Sequence, residues 1–80
     1  MKYTIVKSTA KNKKYTAILE DGKKIHFGDS RYEQYRDSTP LKAFKHKDHG
    51  DKKRRDSYFA RHGKATLYSA KWFAHKFLWT

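Results

Sequence analysis

The dipeptide Asp21-Gly22 decides the architecture of the first third of this chain. Before it, KKYTAIL (13–19) alternates Tyr15, Ala17 and Leu19 onto one face; after it, KKIHF (23–27) sends Ile25 and Phe27 to one side and His26 to the other. Alternation with period two marks half-buried strands. Asp-Gly between two such runs marks a hairpin, because both positions tolerate positive φ. Upstream, KYTIVK (2–7) has the β-branched and aromatic mix of a further strand, with STAKN (8–12) as the turn between them. Residues 1–28 therefore read as an antiparallel three-stranded meander, closed by Gly28.

Beyond Gly28 the period changes. Asp29 or Ser30 is placed to cap a short helical turn through SRYEQYR, with Tyr32 and Tyr35 three apart as anchors. Thr39-Pro40 ends that turn, since the residue before proline avoids the α region. LKAFKHKDHG (41–50) offers Leu41 and Phe44 as anchors but no sustained period, so residues 29–50 read as a helical turn followed by a basic loop. Asp51 is a candidate N-cap for DKKRRDSYFARH and Gly63 its stop, giving a helix over 51–62. Asp51 with Arg55 and Lys52 with Asp56 fall at the four-residue spacing of helix ion pairs, while Tyr58, Phe59 and His62 share the side that faces the core. After a connector or short strand at 64–68, Ser69 caps a C-terminal helix over 69–79, in which Phe73–Phe77 and Ala74–Leu78 lie at helical spacing.

What these elements can pack around is limited. Eighty residues make one domain, 1–80, with a thin core. Its internal aliphatics are few, while thirteen residues are aromatic and none is cysteine. Without disulfide staples the rings must supply the buried area. The expected fold class is α+β: a small antiparallel meander packed against two principal helices around an aromatic-rich core. WFAHKFLW (72–79), which could also dip into a membrane interface, is more economically the helix that closes that core. No run approaches the 18 or so apolar residues of a membrane span, and MKYTIVKS lacks a secretory apolar region. An intracellular chain is the expectation.

Charge is the strongest functional signal. Lys and Arg number 20 against 8 acids, for a net charge of +12. The excess is uneven: residues 1–41 hold nine bases and five acids, residues 42–80 eleven bases and three acids. A bound polyanion relieves the self-repulsion of such a surface. The candidate binding residues are Lys42, Lys45, Lys47, Lys52, Lys53, Arg54, Arg55, Tyr58 and Arg61. Arginine forks match phosphate or carboxylate oxygens. Arg54 and Arg61, seven apart, flank Tyr58 on one helix face, where its ring could stack on a base or a guanidinium. The helix start near Asp51 to Lys53 adds N–H donors that favour an anion. Backbone-directed contact to DNA or RNA phosphates, without sequence readout, fits these features. Tyr3 and Tyr15 are the rings the meander could present.

Two other chemistries fit the sequence less well. His46, Asp48, His49, Asp51 and His62 are residue types that zinc accepts, but their spacing is loose and no cysteine pair sharpens it. A divalent ion would also enter the field of Lys45, Lys47, Lys52, Lys53, Arg54 and Arg55. No metal site and no cofactor is expected. Ser57, Ser69 and the histidines form no recognisable nucleophile motif, and no acidic pair is set to hold Mg²⁺. A small histidine-dependent nuclease is therefore the least favoured reading, and no catalytic residue is assigned.

The blocks FGDSRYEQYRDSTPL, HKDHGDKKRRDSYFARHG and SAKWFAHKFLW, in this order, resemble a family of small basic proteins of large DNA viruses of algae and protists. That resemblance implies a viral origin and a place in the particle, and it assigns no catalytic or binding residue. The expected function is a non-enzymatic structural protein of the virion, a minor capsid component. Its cationic face would hold acidic capsid subunits or the packaged genome. Its location would be the virion, with the host cytoplasm or nucleus during assembly. The alternative is a free-standing, sequence-nonspecific nucleic-acid-binding protein.

Overall fold

The computed structural model describes residues 3–80. Strands β1 (Tyr3–Lys7), β2 (Lys13–Leu19) and β3 (Lys24–Asp29) form one antiparallel sheet in the order β1-β2-β3. Tyr3 pairs with Leu19 and Ile5 with Ala17; Tyr15 pairs with Phe27 and Ala17 with Ile25. The predicted alternation thus lands on one face, where Tyr15, Ala17 and Phe27 are buried. The hairpin differs in detail from a two-residue turn. Leu19 donates its N–H to the Lys23 carbonyl at 2.9 Å, leaving three residues in the loop. Only Gly22 has positive φ, at 89°. Asp21 contributes through its side chain, which accepts the Lys23 N–H at 2.9 Å.

Gly28 does not end the meander; β3 runs through it to Asp29 with Gly28 at φ 75°. A β-carbon there would sit 2.7 Å from Leu78 Cδ1 and 3.2 Å from Lys14 Cβ. Leu78 is 1 % exposed and has nowhere to retreat. Gly28→Ala should therefore cost roughly 2–3 kcal/mol from left-handed strain and overpacking together. A urea unfolding midpoint equal to that of the parent chain would refute the packing account.

Two helices complete the fold, α1 (Lys52–His62) and α2 (Ala70–Leu78), with a short 3-10 turn at Lys45–Lys47. Both predicted caps are formed. Asp51 accepts the N–H groups of Lys53 and Arg54, and Ser69 accepts that of Trp72. Gly63 closes α1 at φ 64°, its N–H on the Phe59 carbonyl. Residues 64–68 form no strand. Helix α2 covers the sheet: Phe73 is fully buried, stacked on Phe27 at 5.5 Å and edge-on to Tyr3 at 5.0 Å. C-terminal WFAHKFLW is thus core. Helix α1 leans on the end of α2, where Tyr58 stacks on Trp79 at 4.2 Å and 5°. Its remaining faces are exposed.

The helical turn expected in SRYEQYR does not form. Asp29 instead takes the Arg31 N–H at 2.9 Å and both sides of the Arg31 fork. Gln34 then pairs with the far side of the loop, donating to Lys47 O at 3.1 Å and accepting from His49 N at 2.9 Å. Arg36 and Ser38 give their N–H groups to the carbonyls of Leu78 and Phe77, which the end of α2 leaves open. Leu41, expected as an anchor, is 48 % exposed. Phe44 does pack, edge-on to Tyr15 at 5.4 Å.

Under this strap lies a buried polar knot. Asp37, 1 % exposed, accepts from Tyr15 OH at 2.5 Å, Thr39 Oγ1 at 2.6 Å, Thr39 N at 3.0 Å and Phe44 N at 3.0 Å. Burial alone would raise its pKa, but hydrogen bonds from Thr39 and Tyr15 outweigh that and hold it low. Lys14, at a position where alternation points away from the core, is 2 % exposed. Its ammonium donates to the Tyr32 carbonyl at 2.8 Å and to Gln34 Oε1. Burial, then Lys47, pulls its pKa down to about 8.

Candidate polyanion-binding site

Helix α1 forms because Asp51 caps its start and Gly63 ends it, and its inner stripe of Tyr58 and Phe59 packs on His75 and Trp79. That stripe leaves Lys52, Lys53, Arg54 and Arg61 exposed. Lys42 and Lys45 are exposed on the preceding segment, and Lys47 is half-buried there. Among the described residues, only Arg54 and Arg55 of the eight predicted cations make ion pairs. Arg54 meets Glu33 at 2.9 Å, and this contact holds the Glu33 carboxyl below its usual range. Arg55 lies over the Tyr35 ring at 5.0 Å and meets Asp56 loosely at 3.9 Å. The expected pairs of Asp51 with Arg55 and Lys52 with Asp56 do not form. Asp51 is committed to the helix cap, and Arg55 finds a better partner in an aromatic face.

Two concavities collect part of the predicted set. A shallow cleft of about 320 Å³ is lined by Lys53, Arg54, Ser57, Arg61 and Trp79. A larger groove of about 550 Å³ runs from α1 to the ends of β2 and β3. Arg54, Tyr58, Arg61 and His62 line its helix side, and Lys13, Lys14, Asp29, Tyr32 and Glu33 the other. Lys42, Lys45, Lys47, Lys52 and Arg55 line neither.

Three expectations need correction. Tyr58 does sit between Arg54 and Arg61, but it is only 8 % exposed and stacked on Trp79, with its hydroxyl 2.9 Å from His75 Nδ1. Burial raises its pKa to about 12. It is part of the wall and cannot stack on a base. Two of the N–H donors at the start of α1 are likewise spent, since Asp51 takes those of Lys53 and Arg54 at 2.9 and 3.2 Å. Tyr15 is fully buried in the core cluster, and Tyr3 packs half-buried against it. The ring that the sequence missed is Tyr32, 63 % exposed at the groove.

The metal-type residues are dispersed. Asp48 accepts from Gln34 Nε2 and Asp37 N, and Asp51 caps α1. His49 Nδ1 accepts from Asp51 N at 2.9 Å, and its pKa is lowered by burial and then by Arg54. His62, expected to pack inward, is exposed although its ring lies 4.4 Å from that of Tyr58. Among the described residues no three His, Asp or Glu side chains converge as a metal-binding group.

Among the described residues no helix is long and apolar enough to cross a membrane. No curated protein and no solved structure matches the chain. Residues 3–62, from the start of β1 to the end of α1, match the Family of unknown function (DUF5754), and the chain belongs to that family.

Proposed function

We propose that this chain is a non-enzymatic, basic structural protein of a viral particle whose cationic surface holds a polyanion, either acidic capsid subunits or the packaged genome. The viral setting rests on the resemblance of its sequence blocks to small proteins of large DNA viruses. The polyanion rests on one observation above all. Helix α1 leaves Lys52, Lys53 and Arg61 exposed and, among the described residues, unmatched by any carboxylate within ion-pair distance. Cations left unneutralised by their own fold attract phosphate or carboxylate from outside.

Fluorescence anisotropy with a labelled DNA duplex across a salt series tests the binding. With about six phosphate contacts, log K should fall against log salt with a slope of roughly −5. Reversing Lys53→Glu together with Arg61→Glu should flatten the slope by about 2 and leave the melting curve in place. These two suit the test better than Arg54 and Arg55, which also tie α1 to Glu33 and Tyr35. A chain that bound no duplex, single strand or acidic polypeptide at low salt would not be a polyanion binder. Absence of the protein from purified particles would leave the free-standing nucleic-acid binder in place of the virion component.

A further inference from the structure

The geometry points to a single-strand nucleotide site: we infer that the groove between α1 and the ends of β2 and β3 takes one unpaired base on Tyr32, with its phosphates held by Lys13 and Arg61. This rests on the polyanion reading and deepens it, by naming which polyanion the groove selects.

Among the described residues twelve of the thirteen aromatic rings are buried or half-buried, and Tyr32 alone is exposed, at 63 %. A chain so short of core-forming area leaves this large ring outside, and it does so at the rim of its charged groove. The backbone that carries the ring is held in place. Its N–H donates to Asp29 O at 3.1 Å, and its carbonyl accepts from the buried Lys14 ammonium at 2.8 Å. The main chain at the platform is thus ordered before any ligand arrives, which lowers the entropic cost of binding. The Arg31 guanidinium lies over one face of the ring, 5.5 Å from its centroid, which leaves the opposite face for a base.

The charges around the ring favour phosphate. Asp29 and Glu33 line the groove, but Arg31 and Arg54 already neutralise them at 2.8 and 2.9 Å. Among the described residues Lys13 and Arg61 have no carboxylate partner and remain for the ligand. The volume of about 550 Å³ lies within the range of small-molecule sites. A free base face is what distinguishes the candidates. Bases in a duplex are stacked on each other and show only their edges, whereas a single strand can lay one face on tyrosine. An acidic polypeptide would use the cations but has no need of the ring.

The test uses the full chain at low salt with three probes: a dodecamer of thymidine, a twelve-base-pair duplex and polyglutamate. Trp79 lines the groove, so tryptophan emission reports its occupancy alongside anisotropy. The single strand should bind several-fold more tightly than the duplex. Tyr32→Ala should weaken the single strand about tenfold, within the range of base–aromatic stacking, and leave duplex and polyglutamate affinities unchanged. Tyr32→Phe should keep full affinity, because the ring face and not the hydroxyl carries the contact. The inference is overturned if Tyr32→Ala is silent, if it weakens all three probes alike, or if Tyr32→Phe behaves like the alanine variant. Failure of all three probes to bind the parent chain would instead overturn the polyanion reading itself.

Discussion

Asp37→Ala is expected to destabilise the chain by about 3–5 kcal/mol, enough to leave much of it unfolded at room temperature. The carboxylate receives four hydrogen bonds, from Tyr15, Phe44 and twice from Thr39, and it ties strand β2 to the strap at 37–44. Tyr15 and Thr39 are fully buried, so their donors would find no partner after truncation. A buried donor left unsatisfied costs about 1–3 kcal/mol, and charged acceptors are the more expensive to lose. The Tyr15 hydroxyl softens the loss a little, because it also accepts from Ala43 N at 2.9 Å and keeps that contact. An eighty-residue domain has roughly 4–12 kcal/mol of total stability to lose. Urea unfolding followed by circular dichroism measures the effect.

The same residue sets an acid limb. Its folded pKa lies below the ordinary aspartate value of 3.8, so its stabilisation is present above that value and is lost as pH falls through the folded pKa. The gap between parent and Asp37→Ala should therefore be widest near neutral pH and shrink in acid. A gap that stays constant down to pH 2, or a variant as stable as the parent, would show that the carboxylate is not the anchor described.

Signals carried by near neighbours were legible in the sequence. The inward residues Tyr15, Ala17 and Phe27 of β2 and β3, the Asp51 and Ser69 caps and the Gly63 stop each depend on residues a few positions apart, and each is in place. The segment from 29 to 50 was not legible, because distant partners shape it. Gln34 answers to Lys47 and His49, and Asp37 answers to Tyr15. Tyr32 and Tyr35 mimic helix spacing, yet a local bond from Asp29 to Arg31 competes with helix and wins. Lys14 is the sharpest case. Pattern alone sends a lysine at that position to solvent, and only the absence of a side chain on Gly28, together with two acceptors from the strap, lets it turn inward.

Much the same division runs through the site. Counting bases found Lys53, Arg54 and Arg61, because surface cations declare themselves by charge. Their neighbour Tyr58 carried two incompatible roles in the sequence, core anchor and stacking platform. Which one it fills depends on Trp79, twenty-one residues away. With Tyr58 spent on packing, the free ring had to come from elsewhere, and it comes from a segment whose shape no short-range signal fixed.

Phe73→Ala should be as damaging as the loss of Asp37, about 3–5 kcal/mol, for a different reason. The ring is fully buried in α2, stacked on Phe27 at 5.5 Å and edge-on to Tyr3 at 5.0 Å and Trp72 at 5.0 Å. Each of these neighbours is itself a ring, and rigid rings cannot flow into the space that alanine leaves. In a core richer in leucine and methionine the cavity would partly collapse; here it stays open and the full cavity term applies. Phe73→Leu fills most of the volume and should cost clearly less, about 1–1.5 kcal/mol, with the aromatic stacking as the main loss. The pair of variants separates packing from mere hydrophobicity. If leucine and alanine destabilised the chain equally in urea, ring geometry would be what holds α2 on the sheet. If neither moved the midpoint, α2 would not be the element that closes this core.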